Sequence, residues 1–172
     1  MIIRNLIRSV ILSAFFCVSG ASLLAQPVLT VSFQETNLVF TAPQFAALPH
    51  TEIKAMDGHE QMEHQYSGVA VRELLSQAGV PAGDKLRGAA LRDVVVVRAR
   101  DGYTVAFTLA DFDDTFGGRN IVLADHVDGN LLSTNAGPLR LIVPGDKKAA
   151  RWARMVNKIE VFDVDRKTET RN

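Results

Sequence analysis

Histidine and acidic side chains, which can bind metal ions or transfer protons, lie close together in one short segment of the sequence. This segment contains Asp57, His59, Glu60, Glu63 and His64. The two histidines are five positions apart, whereas the zinc-binding His-Glu-x-x-His pattern separates them by four. A five-residue spacing turns the side chains about 140° apart on a helix and to opposite faces of a strand. We therefore interpret the segment as a solvated polar loop, with a bent loop that brings the two histidines together as the alternative.

A group of cations near the end of the chain could bind an anion. It comprises Lys147, Lys148, Arg151 and Arg154. We predict a short helix over 147–154, on which Lys147, Arg151 and Arg154 share one face. Backbone N–H groups at the helix N-terminus, just after Gly145, would then join the cations around the anion. The alternative is a solvated helix face with Trp152 packed inward.

Arg140 is a further candidate for contact with an anion. It alternates with Leu139 and Leu141 in a predicted strand, so its side chain leaves the apolar face. Two interpretations stay open: direct contact with a ligand, and a buried structural salt bridge whose partner we expect to be Asp101. We predict no catalytic residue, since no Gly-x-Ser-x-Gly pattern surrounds any serine.

The composition excludes some classes of partner and of chain. Lysine plus arginine and aspartate plus glutamate number 19 each, so no net charge attracts nucleic acid. Hydrophobic residues make up 47% and charged residues 22% of the chain, which is typical of a folded rather than a disordered protein. A chain of 172 residues is long enough for one domain with its own core.

Residues 1–25 have the layout of a secretory signal peptide. Arg4 and Arg8 precede an apolar run over 10–18, and small residues then lead to a cleavage site near 21–25. We therefore predict a periplasmic or secreted protein with no transmembrane segment after signal removal. An uncleaved membrane anchor is the alternative, although the run is shorter than the roughly 20 residues of a span. The single cysteine, Cys17, lies inside this signal, so the predicted mature chain has no thiolate for catalysis or metal binding.

Apolar periodicity and turn signals predict short strands and short helices in alternation. Strands are predicted at 28–33, 37–41, 51–56, 61–66, 94–99, 103–107, 121–124, 139–143 and 156–164. Helices are predicted at 41–48, 69–78, 84–91 and 147–154, with another capped by Thr108. These lengths favour an α+β fold, with a mixed β-sheet and short helices around one core. We assign residues 26–165 to this single domain and 166–172 to a charged tail.

Four segments, taken in order, resemble the sulfite-oxidase-type molybdopterin-binding domain family. Residues 66–75 (YSGVAVRELL), followed by Ala-Gly-Val at 78–80, are similar to an aromatic-x-Gly-Val-x-Leu-x-x-Leu-Leu pattern of the family. The Asp-Gly-Tyr turn at 101–103 and the stretch 123–132 (LADHVDGNLL) resemble two further motifs. Residues 137–145 (GPLRLIVPG) with Trp152 are similar to the family's C-terminal segment. The resemblance spans roughly residues 64–162 and implies the family's fold.

The resemblance also implies a molybdenum-ligating cysteine upstream of residue 66. Residues 51–65 contain none, and Met56 and Met62 are thioethers, which do not supply an anionic sulfur. We therefore expect no cofactor, with molybdopterin as the open alternative. The residues expected to line the former cofactor cleft are His59, His64, Tyr66, Asp101, Tyr103 and Asn135. Those expected to hold an anion are Arg140, Lys147, Lys148, Arg151 and Arg154.

Three hypotheses about function follow. The first is a metal-free module that binds a small anionic ligand, or a periplasmic or membrane protein partner, in the former cofactor cleft. The second is a molybdopterin-dependent oxidoreductase that holds its cofactor without a cysteine ligand. The third is a structural subunit of a periplasmic complex.

Overall fold

The computed structural model describes residues 26–58 and 60–164. The predicted signal peptide with Cys17, the candidate His59 and the predicted tail 166–172 lie outside the described residues. The strands are β1 (Pro27–Phe33), β2 (Thr36–Thr41), β3 (Thr51–Asp57), β4 (Met62–Ala70), β5 (Val94–Ala99), β6 (Thr104–Thr108), β7 (Val122–Val127), β8 (Asn130–Leu131), β9 (Arg140–Ile142) and β10 (Val156–Phe162). The α-helices are α1 (Ala42–Ala46) and α2 (Val71–Gln77). Short 3₁₀ turns lie at Gly83–Lys85, Gly88–Arg92, Leu109–Phe112, Asp114–Phe116 and Ala149–Arg151.

The first sheet is mixed and joins the two ends of the described chain. Its strand order is β2-β1-β10-β5-β6. β1 pairs in parallel with β10, while the remaining neighbours are antiparallel. Val31, Val97 and Ile159 on its central strands are completely buried, which agrees with the apolar runs of the sequence.

The second sheet is antiparallel and carries five of the residues that line the smaller of the two cavities described below. Its order is β3-β4-β7-β8, and β9 pairs with another part of β7. Along β3 the side chains alternate, so Ala55 and Asp57 are buried whereas Met56 between them is exposed. Alternation therefore points the last residue of β3 toward the interior.

One contiguous core includes residues from both sheets and from α2. The helix buries Val71, Leu74 and Leu75, as its three- and four-residue spacing predicts. It begins two residues later than predicted because Val69 and Ala70 still pair with β7. The predicted α+β class with short helices is confirmed, and the strands divide into one mixed and one antiparallel sheet.

Two predicted helices are wrong. The segment 84–91 forms two 3₁₀ turns, because Gly83 and Gly88 take φ values of 56° and 61°, which end α-helical geometry. The basic segment contains only the three-residue turn Ala149–Arg151. There the Leu141 N–H donates to the Ala153 carbonyl at 2.8 Å, so the chain runs beside β9 where a helix was expected.

The predicted cap at Thr108 is confirmed in a shorter element. Asp111 accepts hydrogen bonds from the backbone N–H of Thr108 at 2.9 Å and from its hydroxyl at 2.8 Å. This reciprocal capping box precedes a 3₁₀ turn over Leu109–Phe112.

Within residues 26–58 and 60–164, no helix has the length and apolar character needed to cross a membrane.

Gly68 lies where β4 crosses β7 and the pairing register shifts. A Cβ at this position would collide with backbone atoms of Leu123 and Ala124, and a paired backbone cannot move aside as a side chain can. We expect Gly68→Ala to lower the free energy of unfolding by about 1–3 kcal/mol, measured by urea denaturation. Ser67→Ala, on the partly exposed neighbour, is the control and should change it by less than about 0.5 kcal/mol. Equal stability of the two variants would contradict the steric argument.

Candidate functional site

Two cavities meet at Arg154, which lines both of them. The larger one, of 530 Å³, we call the lysine cleft; its walls include Asp101, Tyr103, Lys147, Lys148 and Trp152. The smaller one, of 240 Å³, we call the Arg140 cavity; its walls include Asp57, Glu60, His64, Tyr66, Asp128, Asn135 and Arg140. The β5–β6 turn and the segment between β9 and β10 supply the named walls of the lysine cleft. Strands β3, β4 and β9, the β3–β4 and β7–β8 turns and the segment between β8 and β9 supply those of the Arg140 cavity.

A contact between the β5–β6 turn and the basic segment joins two parts of the wall of the lysine cleft. Asp101 accepts a hydrogen bond from the Tyr103 N–H at 2.9 Å and so fixes the turn. The Tyr103 hydroxyl donates to the Ala150 carbonyl at 2.6 Å. The Tyr103 side chain is therefore fixed in the wall of the lysine cleft. Asp101 is occupied in this turn and does not pair with Arg140, so that prediction is wrong.

Arg151 does not line either cavity, in contrast to the helical arrangement predicted for it. Its guanidinium donates to the Asp146 carboxylate at 2.6 and 2.8 Å, and its Cζ lies 4.9 Å from the centre of the Phe107 ring. Hydrogen bonding by Arg151 lowers the pKa of the Asp146 carboxyl, and the same hydrogen bonding raises the pKa of Arg151. Arg119 also pairs with Asp146. These partners give Arg151 a structural role.

A buried ion pair between Asp57 and Arg140 forms one wall of the Arg140 cavity. The Arg140 Nη2 donates to the Asp57 Oδ2 at 2.9 Å, and the two side chains are 8% and 2% exposed. Arg140 Cζ lies 5.9 Å from the ring centre of Tyr66 and 5.5 Å from that of Trp152. The guanidinium thus lies against two aromatic rings that also pack on each other, and cation–π attraction offsets part of its desolvation. The structure shows the buried salt bridge of Arg140, with Asp57 as its partner, while contact of Arg140 with a ligand stays a prediction.

Tyr66 is fixed in the same cluster and keeps its proton. Its hydroxyl donates to the Asp57 Oδ2 at 3.4 Å, and its ring packs edge-on against Trp152 at 5.8 Å. Burial raises the pKa of Tyr66 to about 12. At neutral pH the side chain is therefore a neutral hydrogen-bond donor.

His64 connects two turns at the Arg140 cavity. Its Nδ1 lies 2.6 Å from the Asp128 Oδ2, on the β7–β8 turn, and its Nε2 lies 3.0 Å from the Glu60 Oε2, on the β3–β4 turn. The hydrogen bond to Asp128 raises the pKa of His64, while His64 lowers the pKa of Asp128. The doubly bonded ring is therefore best described as an imidazolium between two carboxylates.

The structure separates the remaining candidates into the two cavities. Asp101 and Tyr103 line the lysine cleft with Lys147, Lys148 and Arg154, whereas His64, Tyr66 and Asn135 line the Arg140 cavity with Arg140 and Arg154. Within the described part of the chain, no group of three or more His, Cys, Asp or Glu side chains is arranged to hold a metal ion.

Sequence reasoning missed the roles of Asp57 and Glu60, which it placed in a solvated polar loop. Asp57 follows Ala55 by two positions in a strand, so alternation was a signal that it faces inward. No comparable signal marked Glu60 as the partner of His64, since that contact depends on the conformation of a turn.

Molybdenum held by a protein thiolate does not fit the donor set of these cavities. The described residues contain no cysteine, and their sulfur atoms belong to Met56, Met62 and Met155. A thioether carries no charge and does not replace a thiolate at a high-valent metal. The cations of the lysine cleft suit a phosphate or another anion, but they offer no ligand to the metal.

Comparison with known proteins gives the same assignment as the motifs. A family model described as "Oxidoreductase molybdopterin binding domain" matches residues 34–170. Among solved structures, the sulfane dehydrogenase SoxCD from Paracoccus pantotrophus matches with a TM-score of 0.61 and 23% sequence identity. The match covers 78% of this chain and 38% of the SoxCD chain, so this chain spans well under half of that protein. No curated protein sequence matches.

Removing one member of the buried Asp57–Arg140 pair should destabilise the fold strongly. Asp57→Asn leaves the Arg140 charge without compensation, and we expect the free energy of unfolding to fall by about 3–5 kcal/mol. The double variant Asp57→Asn/Arg140→Met should be more stable than Asp57→Asn alone, because it removes the uncompensated charge. Urea unfolding of the three proteins measures this coupling. If Asp57→Asn unfolded at the same urea concentration as the wild type, the assigned ion pair would be contradicted.

The His64 contacts should depend on pH in a defined direction. Because its pKa is raised above the ordinary value of 6.5, its stabilising contribution is fully present below pH 6.5 and is lost as pH rises through the folded-state pKa. NMR titration of the imidazole ring should give a value above 6.5, and Asp128→Asn should lower it. Glu63→Gln, on an exposed neighbour, serves as the control and should leave it unchanged. A His64 pKa at or below 6.5 in the wild-type protein would contradict the hydrogen bonds assigned to His64.

Proposed function

The chain belongs to the family of oxidoreductase molybdopterin-binding domains, and within this family we propose that it is an exported binding module. It holds a small anion in the lysine cleft and uses no metal ligated by cysteine. Export rests on the signal-like layout of residues 1–25. The choice of an anion as the ligand rests on the positive charge of the lysine cleft.

The observation that carries this proposal is an excess of positive charge on a concave surface. Lys147, Lys148 and Arg154 line the cleft against one carboxylate, Asp101, and that carboxylate is engaged in its own turn. None of the three cations has an ion-pair partner among the described residues. Unpaired cations in a cleft concentrate anions there.

The size of the lysine cleft suits a ligand larger than a single inorganic ion. Its 530 Å³ falls within the range of about 300–1,000 Å³ that is usual for small-molecule sites. The Tyr103 ring, held by its bond to Ala150, supplies a flat apolar wall beside the cations. A cyclic or aromatic compound that carries phosphate, sulfate or carboxylate groups would use both features.

A second candidate function is favoured by the family match itself. The matched residues 34–170 include every residue that lines the two cavities. Molybdopterin, which combines a ring system with a phosphate, is a ligand of the kind proposed for the lysine cleft. On this view the chain is an oxidoreductase that holds the pterin through cations and without a cysteine ligand. A structural subunit without any ligand is the remaining alternative.

Anion binding is tested by thermal shift on the mature protein with phosphate, sulfite, nucleotides and molybdopterin. Sulfite is included because one protein of the same fold is a sulfane dehydrogenase. At least one anion should raise the melting temperature by mass action. Lys147→Gln/Lys148→Gln should weaken that binding by at least about tenfold, whereas Lys85→Gln, on an exposed lysine outside the cleft, should leave it unchanged.

The outcomes separate the three candidates. Molybdenum and pterin, present in stoichiometric amounts in protein purified from its own host, would overturn the metal-free proposal in favour of the oxidoreductase. A response to no anion, together with a stable hetero-complex in pull-downs, would favour the structural subunit. Equal anion binding by the double lysine variant and the wild type would place the site elsewhere.

A further inference from the structure

The Arg140 cavity differs from the lysine cleft in the balance of its charges. Arg140, Arg154 and the imidazolium of His64 face the carboxylates of Asp57, Glu60 and Asp128. Three positive groups therefore meet three negative ones in this cavity, whereas the lysine cleft has three cations and one carboxylate. A simple anion gains little from a wall whose charges cancel, but a ligand that carries both charges can use both poles.

The positive pole retains an unused donor. The Arg140 Nε is buried and has no hydrogen-bond partner, although Nη2 of the same guanidinium is bonded to Asp57. A buried donor without an acceptor is unfavourable, so the pair with Asp57 does not saturate the hydrogen-bonding capacity of the guanidinium. Arg154 lines the same cavity and adds a second cation for a carboxylate, which the guanidinium fork can bind through two N–H donors.

The negative pole comes from different elements of the fold. Glu60 lies on the β3–β4 turn and Asp128 on the β7–β8 turn, and their side chains are 61% and 52% exposed. Each carboxylate gives one oxygen to His64, and an ionised carboxylate has further lone pairs for an additional donor. An ammonium group, with three N–H donors, matches this arrangement.

The volume restricts the ligand to a small molecule. At 240 Å³, the cavity lies below the range of about 300–1,000 Å³ typical of drug-sized ligands. We propose that the Arg140 cavity binds a small α-amino acid, with its carboxylate at Arg140 and Arg154 and its ammonium group at Glu60 and Asp128. This inference goes beyond the proposed anion site and does not depend on what occupies the lysine cleft.

Isothermal titration calorimetry of the mature protein tests the proposal below pH 6.5, where His64 carries its proton. The probes are glycine, alanine, serine and proline, together with propionate and ethylamine, which each keep one of the two charged groups of alanine. At least one amino acid should bind saturably. Alanine should bind at least about tenfold more tightly than propionate or ethylamine.

Two matched variants assign the poles. Glu60→Gln should weaken the binding of the amino acid by about tenfold or more without changing the binding of anions in the lysine cleft. Glu63→Gln, an exposed neighbour outside the cavity, should change neither. Propionate binding as tightly as alanine, saturable binding by none of the four amino acids, or unchanged affinity in Glu60→Gln would each overturn the proposal. The proposed function is tested separately, by the thermal shift that anions produce in the Lys147→Gln/Lys148→Gln variant.

Discussion

The ion pair between Asp57 and Arg140 is the interaction around which the cavities are arranged. It joins the end of β3 to the start of β9, two strands of the second sheet that are separated by β4 and β7. Isolated charges at this depth would be costly, but the pair is enclosed by Tyr66 and Trp152 and accepts the tyrosine hydroxyl. Buried pairs of this kind contribute little net stability, while the loss of one partner is severe. The pair therefore fixes the positions of four side chains more than it strengthens the fold.

The segment between β9 and β10 connects this cluster to the lysine cleft. Its backbone is bonded to β9 through Leu141 and Ala153, and the Trp152 Nε1–H donates to the Val143 carbonyl at 3.0 Å. The Tyr103 hydroxyl joins the same segment to the first sheet. An irregular segment can position Lys147, Lys148 and Arg154 because β9, the β5–β6 turn and its own internal Trp152–Val143 bond hold it. Secondary structure of its own is not required.

The two cavities share Arg154 but differ in their balance of charge. Unpaired cations dominate the lysine cleft, whereas positive and negative groups are equal in number in the Arg140 cavity. Because Arg154 lines both cavities, a molecule that occupied both of them would place a negatively charged group beside Arg154. The mature chain expected from the sequence offers no thiolate to a metal in either cavity, so both proposals rest on ionic and hydrogen-bonding groups that the described residues supply.

The sequence by itself determined the class of fold, most strands, α2 and the family, because these follow from local periodicity, turn residues and motifs in order. It also marked His64, Tyr66, Asn135 and the cations as candidates. Only the tertiary structure decided which of them meet. Asp57 and Arg140 are 83 positions apart, so no local pattern pairs them, and Arg151 was assigned to the anion site although Asp146 holds it elsewhere. The predicted basic helix failed for the same reason: backbone bonds to β9 outweigh the weak helical preference of a short segment.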